Sequence, residues 1–426
     1  MKSVFPKALM VLSLLILPTT VGSIPSSTAA SPQLSDIAVS AGLFWNERTW
    51  SSSTVDYNND GYQDIWVGFH QRVDSKLMRN NKDGTFTHVA PELTKRVNSE
   101  GGILDRHDCA WSDVDHNGLQ DAYCSGGRNL SNYVKTAIKD NELWLQLTPG
   151  EFTDVGTRWG VGDECGRGRH VAFLDVNNDG FDDLFLGNEQ PRSVTDPCDN
   201  PANGYTNEES KLYLNNGGTG LRYAPAYDVG QSSAGVGCAL PLDWNKDGLM
   251  DLLACNYRTA RPNLYRNTGS GFVQDTGFSL TAITDAQWAD INNDGLKDLV
   301  MSDRVGFLYR LGTATGIGAS VRLPHTNTLD GHFGWGVAVG DINGNGTIDI
   351  YGQVHNTKLT SNPDDAVFMN NGGSAPTFTK LVPPSATGNG DSVTALQISP
   401  TANATFFVQN GREAYNGPTQ LIRYQN

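Results

Sequence analysis

Six copies of one nine-residue pattern contain the side chains of this chain best suited to bind a metal ion. The first copy is D-Y-N-N-D-G-Y-Q-D at residues 56–64, and the others occupy residues 113–121, 175–183, 243–251, 290–298 and 341–349. Oxygen-bearing side chains stand at positions 1, 3, 5 and 9 of every copy, and glycine at position 6 allows a sharp turn. Calcium takes about six to eight oxygen ligands from carboxylates, amides and backbone carbonyls. The spacing therefore predicts a calcium-binding loop at each copy.

The predicted ligands are the side chains at positions 1, 3, 5 and 9 and the backbone carbonyl at position 7 of each copy. In chain order they are Asp56, Asn58, Asp60, Tyr62, Asp64, Asp113, Asp115, Asn117, Leu119, Asp121, Asp175, Asn177, Asp179, Phe181, Asp183, Asp243, Asn245, Asp247, Leu249, Asp251, Asp290, Asn292, Asp294, Leu296, Asp298, Asp341, Asn343, Asn345, Thr347 and Asp349. For any single copy, a metal-free turn rich in Asp and Asn is the alternative. The recurrence of the pattern in six copies favours calcium and predicts about six bound ions. The sixth loop has only two charged ligands.

We expect the calcium to be structural, because clustered carboxylates repel one another unless a cation neutralises them. Calcium that bridges a bound ligand, as in some lectins, is the alternative role. The formal charge of the chain is −15, and six divalent ions would offset most of it. A negative balance of this size argues against nucleic acid as a partner.

The first 30 residues have the pattern of a secretory signal peptide. Lys2 and Lys7 precede an apolar run at residues 8–17, and small residues before Ser31 suit cleavage there. The run is too short to span a bilayer as a helix. We therefore expect a secreted protein without a membrane span, whose mature part, residues 31–426, is a single domain.

Six cysteines in an exported chain predict disulfide bonds. Cys109 and Cys124 flank the second acidic loop with nearly the same offsets as Cys238 and Cys255 flank the fourth. The matching offsets predict the pairs Cys109–Cys124 and Cys238–Cys255 across two hairpins, which leaves Cys165 to pair with Cys198. Free thiols are the alternative.

Short strands must position these loops, because an apolar or alternating stretch flanks each copy on both sides. A third and a fourth kind of strand each recur seven times, and the fourth strand of the last unit lies at the N-terminus, at residues 34–39. Its partner lies at residues 420–425, at the other end of the chain. The pattern predicts an all-β fold, a seven-bladed β-propeller of four-stranded antiparallel blades whose N-terminal strand completes blade 7. The seventh inner hairpin, at residues 393–408, lacks the acidic residues and should bind no calcium.

The D-x-N-x-D-G-x-x-D loops between such strands resemble the FG-GAP/VCBS repeats of integrin α-subunit propellers. The segments N-N-K-D-G-T-F-T-H-V-A (residues 80–90) and S-D-I-A-V-S-A-G-L (residues 35–43) look most like extracellular VCBS-repeat proteins of the cartilage-acidic-protein type. The resemblance covers residues 34–426. It implies the propeller fold and calcium in the loops, but such repeats occur in adhesion receptors, lectins, enzyme-attached propellers and other secreted proteins.

A second group of residues should gather at the face opposite the calcium loops, where the longest connecting segments lie. These residues are His70, His107, Arg169, His170, Asp285, Arg304, Trp335 and His355. They would form a polar, aromatic mouth around the central channel, suited to a glycan or a carboxylate. The alternatives are ordinary polar residues that solvate the rim, or a catalytic or transition-metal histidine cluster, for which the sequence shows no supporting motif.

The favoured function is a secreted calcium-binding module that binds or adheres to an extracellular glycan or protein. The alternatives are an extracellular enzyme of lyase, hydrolase or cyclase type at the channel mouth, and a structural component of a surface assembly. Asn129 and Asn403 are glycosylation acceptors by motif if the source is eukaryotic, whereas the motif at Asn345 is shielded inside a loop.

Overall fold

The computed structural model describes residues 33–70, 74–95, 105–127, 141–163, 166–189, 209–229, 235–256, 261–326, 332–356, 365–384, 389–411 and 416–425. Within them, seven antiparallel sheets each place four strands side by side, and these sheets are the blades of a propeller. The predicted all-β, seven-bladed fold is confirmed. The helices described are the short turns Ala38–Ala41 and Pro91–Thr94 and the 3-10 turn Pro225–Tyr227, and none of these is long and apolar enough to cross a bilayer.

The strands of each blade run from the inner strand at the channel to the outer strand at the rim. In blades 1 to 3 they are Thr49–Val55, Asp64–Phe69, Lys76–Asn80 and Phe86–Val89; Arg106–Ser112, Asp121–Gly126, Glu142–Thr148 and Glu151–Asp154; and Gly168–Leu174, Asp183–Asn188, Lys211–Asn215 and Leu221–Tyr223. In blades 4 and 5 they are Val236–Leu242, Asp251–Asn256, Asn263–Asn267 and Phe272–Gln274; and Ile283–Ala289, Asp298–Asp303, Gly306–Arg310 and Val321–Thr326. In blades 6 and 7 they are His332–Gly340, Asp349–Asn356, Ala366–Asn370 and Phe378–Leu381; and Ser392–Leu396, Thr405–Gln409, Gly417–Gln425 and Gln33–Asp36. Two small additions are the hairpin of Gly312–Thr313 with Gly316–Ile317 and the strand Asn46–Glu47, which pairs with blade 7.

The ring closes through the two ends of the described chain. Gln33–Asp36 pairs antiparallel with Gly417–Gln425, with Leu34 opposite Tyr424 and Asp36 opposite Ile422. The closing strand is shorter than the predicted one at residues 34–39. The Asp36 carboxylate accepts a hydrogen bond from Ala38 N at 2.9 Å, and the chain turns into Ala38–Ala41 instead of continuing as strand.

The core lies between successive blades, where the inner and middle strands bury their apolar side chains. Between blades 3 and 4, for example, Leu174 and Phe185 pack in one cluster with Leu252 and Tyr265. The junction of blades 7 and 1 is built in the same way, since Phe407 and Leu421 share a cluster with Ile65 and Phe69. Stacking of this kind buries a continuous core although each blade alone is a single exposed sheet.

Polar side chains also join five of the blades to the one before. A residue at or near the end of the third strand, such as Asn215, donates from its side-chain amide to a backbone carbonyl in the connecting loop of the preceding blade, here Val114 O at 2.9 Å. The equivalent donors and acceptors are Gln146 to Tyr57 O, Asn267 to Val176 O and Asn370 to Ile291 O, with Asn80 reaching Ile398 O in blade 7. These bonds tie neighbouring blades at the loop face of the ring.

Disulfide bonds join the inner and second strands of two blades. Cys109 is bonded to Cys124 in blade 2 and Cys238 to Cys255 in blade 4, the same pairs that the sequence predicts. The predicted pair Cys165–Cys198 lies outside the described residues, as does Asn129.

Candidate functional site

The acidic loops adopt one backbone conformation in every copy. Position 4 has a positive φ between 54° and 74°, and the glycine at position 6 has a φ between 81° and 89°. The turn lets the carboxylate at position 1 accept from the backbone N–H groups of positions 5 and 6. In blade 3, Asp175 Oδ1 lies 3.2 Å from Asp179 N and Oδ2 lies 2.9 Å from Gly180 N. The loop therefore closes around its own oxygen-bearing side chains.

The donor set of these loops fits a hard cation. In the second loop, carboxylate oxygens of Asp113, Asp115 and Asp121 lie within 4.8 Å of one another. In the first loop, Asn58 Oδ1 is buried and has no hydrogen-bond partner in the described part of the chain. An ion at the centre of the loop would be bound by such an oxygen, and an all-oxygen set matches calcium better than zinc or copper.

The aspartate at position 9 is buried and anchors the loop to the blade. In blade 3, Asp183 Oδ2 accepts from Val176 N at 2.9 Å and Oδ1 accepts from Asn215 N at 2.7 Å. Burial raises the pKa of Asp183 to about 7, against the lowering effect of these two hydrogen bonds, and the charges of Asp179 and Asp175 raise it further. A cation within the loop would favour the ionised form of all three carboxyls.

The mouth of the central channel holds a cavity of about 200 Å³ to which all seven blades contribute. Its lining residues are Trp50, Ser51, Ser52, Asp108, Arg169, His170, Gly237, Thr284, Asp285, Gln287, Trp335, Gly336, Asp391, Ser392, Val393 and Thr394. Most of them belong to the first half of an inner strand, so the cavity lies at the ends of these strands remote from the acidic loops. Aromatic and charged side chains thus meet in one cavity at the mouth of the channel.

One wall of the cavity is formed by Trp50 and Arg169, with His107 stacked behind them. Trp50 stacks on His107, with centroids 4.1 Å apart, and the guanidinium of Arg169 lies 5.0 Å from the Trp50 ring. Arg169 is held in turn by Glu189, whose Oε2 lies 2.8 Å from Arg169 Nε. Burial, with Arg169 beside the ring, lowers the pKa of His107 to about 4, so this imidazole is neutral at neutral pH.

A second wall brings two carboxyls to one imidazole. His170 Nδ1 lies 3.1 Å from Asp108 Oδ2, and Asp285 acts on the same ring by its charge. Burial alone would lower the pKa of His170, but Asp108 and Asp285 raise it above its ordinary value. Burial raises the pKa of Asp285 to about 6, although its oxygens accept from Val337 N and Ala286 N.

The third wall is aromatic and comes from blade 6. Trp335 Nε1 donates to Asp391 O at 2.7 Å, which fixes the indole beside blade 7. Behind it, His355 packs against Trp335 and Phe333 with centroids 5.2 Å and 4.9 Å away. Trp50 and Trp335 are both half-buried and flank blade 7 from its two sides.

The eight residues predicted for this mouth occupy three kinds of position. Arg169, His170, Asp285 and Trp335 line the cavity. His70, His107 and His355 are buried and are not among its lining residues. Arg304 is exposed in the turn that follows Asp298–Asp303 and does not line the cavity either.

The sequence reasoning missed Trp50, Asp108 and Asp391. Trp50 precedes its acidic loop by six residues, as His107 and Trp335 precede theirs, and Asp108 shares with Asp285 an offset of five. The same offset could have identified both. Asp391 belongs to blade 7, which has no acidic loop from which to count.

Residues 56–124 and 243–301 match the family of FG-GAP-like repeats. These stretches hold the first, second, fourth and fifth acidic loops, so the chain carries FG-GAP-like repeats within a propeller. Among curated proteins, no sequence matches the chain.

Two solved propeller structures are similar to this one. The first is an Agrocybe aegerita lectin described as recognising non-reducing terminal N-acetylglucosamine, with a TM-score of 0.49, 16% identity and coverage of 81% of this chain and 82% of that chain. The second is BBS1N in its complex with ARL6DN, with a TM-score of 0.49, 11% identity and coverage of 88% and 93%.

Proposed function

We propose that this protein is a secreted calcium-binding β-propeller that binds an extracellular glycan or protein at its channel mouth. The observation that carries this proposal is the cavity of about 200 Å³, because it joins two half-buried tryptophans with ionisable groups in a space to which all seven blades contribute. Flat apolar rings that stack on a ligand, next to a few fixed polar groups, are typical of small-molecule sites.

The size of the cavity limits what enters it. Sites for drug-sized ligands measure about 300–1,000 Å³, and this cavity is smaller. It fits one sugar unit or one side chain at the tip of a larger ligand. We infer that the body of the ligand rests on the surrounding face and that a single polar group enters between Trp50 and Trp335.

Calcium has a structural role in this proposal. The loops lie at the other ends of the inner strands from the cavity, so an ion there cannot touch a ligand in the mouth. Secretion is supported by the N-terminal pattern of residues 1–30 and by the bonds Cys109–Cys124 and Cys238–Cys255, since disulfides persist in oxidising compartments.

A glycan array and a screen of extracellular proteins, both in saturating calcium, test the binding proposal. We expect a hit whose affinity falls at least tenfold in Trp50→Ala and in Trp335→Ala, because each change removes a stacking surface. Phe44→Ala is the matched control, since Phe44 is an exposed aromatic residue outside the cavity. Binding that survives both tryptophan changes would place the ligand elsewhere and refute the proposal for this cavity.

An extracellular enzyme is the second candidate, favoured by the arrangement of His170 between Asp108 and Asp285. One imidazole with two carboxyls is a general acid–base arrangement, and the pKa of Asp285 at about 6 lies near a working range for proton transfer. Any ligand found should therefore be incubated with the protein and examined by mass spectrometry. Turnover that disappears in Asp285→Asn, with binding kept, would establish the enzyme; an unchanged ligand would leave a binding module.

A further inference from the structure

A cluster of two histidines and one aspartate lies behind the cavity wall, between blades 1 and 2. His70 follows the second strand of blade 1, His107 belongs to the inner strand of blade 2, and Asp105 directly precedes that strand. Their exposed fractions are 7%, 1% and 7%. One donor atom from each of the three lies within 4.8 Å of the other two. None of the three belongs to the acidic loops, and none lines the cavity.

The distances in this cluster match the spacing of ligands around a small metal ion. His70 Nδ1 lies 2.8 Å from Asp105 Oδ1, and His107 Nε2 lies 3.6 Å from Asp105 Oδ2. Ligands of a tetrahedral zinc ion at about 2.0–2.1 Å are separated by about 3.3 Å. The two observed distances lie on either side of that value, so small side-chain shifts would bring all three donors to one ion.

The tautomer of His107 decides whether its Nε2 can bind a metal. His107 Nδ1 lies 2.9 Å from Gly168 O, and with its proton on Nδ1 the ring donates to that carbonyl and keeps the Nε2 lone pair. A ligating histidine is usually oriented in this way by a backbone carbonyl or carboxylate. Arg169 Nη1, which can only donate, lies 2.7 Å from the same Nδ1, so the other tautomer, with the proton on Nε2 facing Asp105, belongs to the metal-free arrangement. A metal at Nε2 would displace this guanidinium contact, and Glu189 would still pair with both Arg167 and Arg169.

The surroundings hold the rings rigidly. Trp50 stacks on His107 and lies 4.9 Å from the centroid of His70, so one indole covers both imidazoles on the cavity side. Gly127 lies against His107, and a Cβ added there would fall 1.9 Å from Nε2. Glycine thus makes room for the imidazole ring itself, and a fixed geometry of this kind favours a metal site.

We propose that His70, Asp105 and His107 bind one divalent transition-metal ion of the zinc class, separate from the calcium of the acidic loops. Two imidazole nitrogens and one carboxylate suit zinc and its neighbours in the first transition row, whereas calcium prefers oxygen donors throughout. The ion would join blade 1 to blade 2 directly beneath Trp50, so it would fix the ring that lines the cavity. The competing account is a metal-free hydrogen-bonded chain from His70 through Asp105 to His107.

Elemental analysis of protein purified from zinc-supplemented cultures separates these two accounts. The buffer should hold excess calcium, so that the acidic loops are occupied and do not take up zinc. We expect about one zinc per chain in the wild type and in the control His88→Ala, whose histidine is exposed on another strand of blade 1. His70→Ala and His107→Ala should each lose most of it. Wild-type protein without zinc, or zinc retained by both variants, would overturn the proposal.

Anomalous diffraction at the zinc edge tests the same proposal in the wild type, and so does not depend on whether a variant folds. The expected result is a peak about 2.0–2.2 Å from the donor atoms of all three residues. No peak there, or zinc bound elsewhere, would contradict the proposal. Cobalt in place of zinc should give visible absorption typical of low coordination with nitrogen ligands, and Asp105→Asn should change that spectrum while keeping the side-chain volume.

Discussion

Position 4 of the acidic loops shows how one residue joins two blades. Asn178 has a φ of 56°, and its Nδ2 donates to Gly248 O in the next loop at 2.8 Å. Asn293 reaches Gly346 O in the same way at 2.9 Å, and Asn59 reaches Gly118 O. Asparagine tolerates the left-handed region better than other residues with a Cβ, so it satisfies both the turn and the contact.

Two substitutions of Asn178 separate these two contributions. Asn178→Gly keeps the left-handed turn and loses the hydrogen bond, which should lower the free energy of unfolding by about 1 kcal/mol. Asn178→Ala loses the bond and also places a Cβ in the left-handed region, which should cost about 1 kcal/mol more. Urea denaturation in saturating calcium measures both. Equal stability of the two variants would show that the backbone conformation at position 4 contributes nothing.

Asp285 should make the stability of the protein depend on pH. Its pKa is about 6 in the folded protein, against an ordinary value of 3.8 for an aspartate, so the folded state holds the extra proton between these values. Stability linked to this group is therefore present at low pH and is lost as the pH rises toward and past 6. His170, Asp108, Arg169 and Asp391 share the cavity and modulate the effect.

Urea denaturation at pH 5 and pH 7.5 measures this dependence. The wild type should lose about 1 kcal/mol relative to Asp285→Asn over that interval, after allowing for partial solvent access to the cavity. The acidic loops titrate in both proteins, so their effect cancels in the comparison. Parallel pH profiles for the two proteins would contradict the raised pKa of Asp285.

At the scale of elements, the amide at the end of the third strand is the main polar link between blades. In blade 3, Asn215 donates to Val114 O and Asp182 O, and its Oδ1 accepts from Gly218 N. It is buried, whereas Asn216 beside it is exposed. We therefore expect Asn215 to contribute more than Asn216 to the link between the blades.

Replacing each of these asparagines with alanine measures the link. Asn215→Ala leaves buried carbonyls without their donor and should lower the free energy of unfolding by about 2–3 kcal/mol. Asn216→Ala should change it by less than about 0.5 kcal/mol, because the side chain is exposed. A similar small effect of both changes, in urea melts with calcium present, would show that the amide does not hold the blades together.

Local signals in the sequence predict most of the elements, and contacts between blades account for what was missed. The acidic loops and their flanking strands are set by turn chemistry and apolar alternation, so blade number and closure follow from counting. In blade 5 the outer strand, Val321–Thr326, follows the extra hairpin of Gly312–Thr313 and Gly316–Ile317, which the repeat pattern does not predict. The hydrogen bond from Asn215 to Val114 O joins residues that lie 101 positions apart in the sequence, and the periodicity of the sequence does not predict it.

The sequence also predicted the candidate site only in part. Offsets from the loops place Arg169, His170, Asp285 and Trp335 at the cavity, because the inner strands of blades 3, 5 and 6 have similar lengths. They do not distinguish a side chain that faces the channel from one that packs behind it, as His70, His107 and His355 do. That distinction depends on rotamers and on the neighbouring blade.

On the scale of the whole molecule, the ring has a loop face and a cavity face with different tasks. The loop face concentrates carboxylates, and buried aspartates such as Asp64, Asp121 and Asp183 fasten each loop to its blade. The cavity face gathers residues from all blades, so its shape depends on closure of the ring. Calcium on one face would thereby maintain the geometry of the other.

Thermal unfolding with and without calcium tests this account most directly. Calcium bound only to the folded state stabilises it by about 4 kcal/mol per site at a thousandfold excess over the dissociation constant. We predict a large drop in Tm on chelation, full recovery when calcium is restored, and weaker recovery with magnesium, which needs stricter octahedral geometry. An unchanged Tm in excess chelator, with elemental analysis showing no residual calcium, would contradict the claim that these ions hold the blades in place.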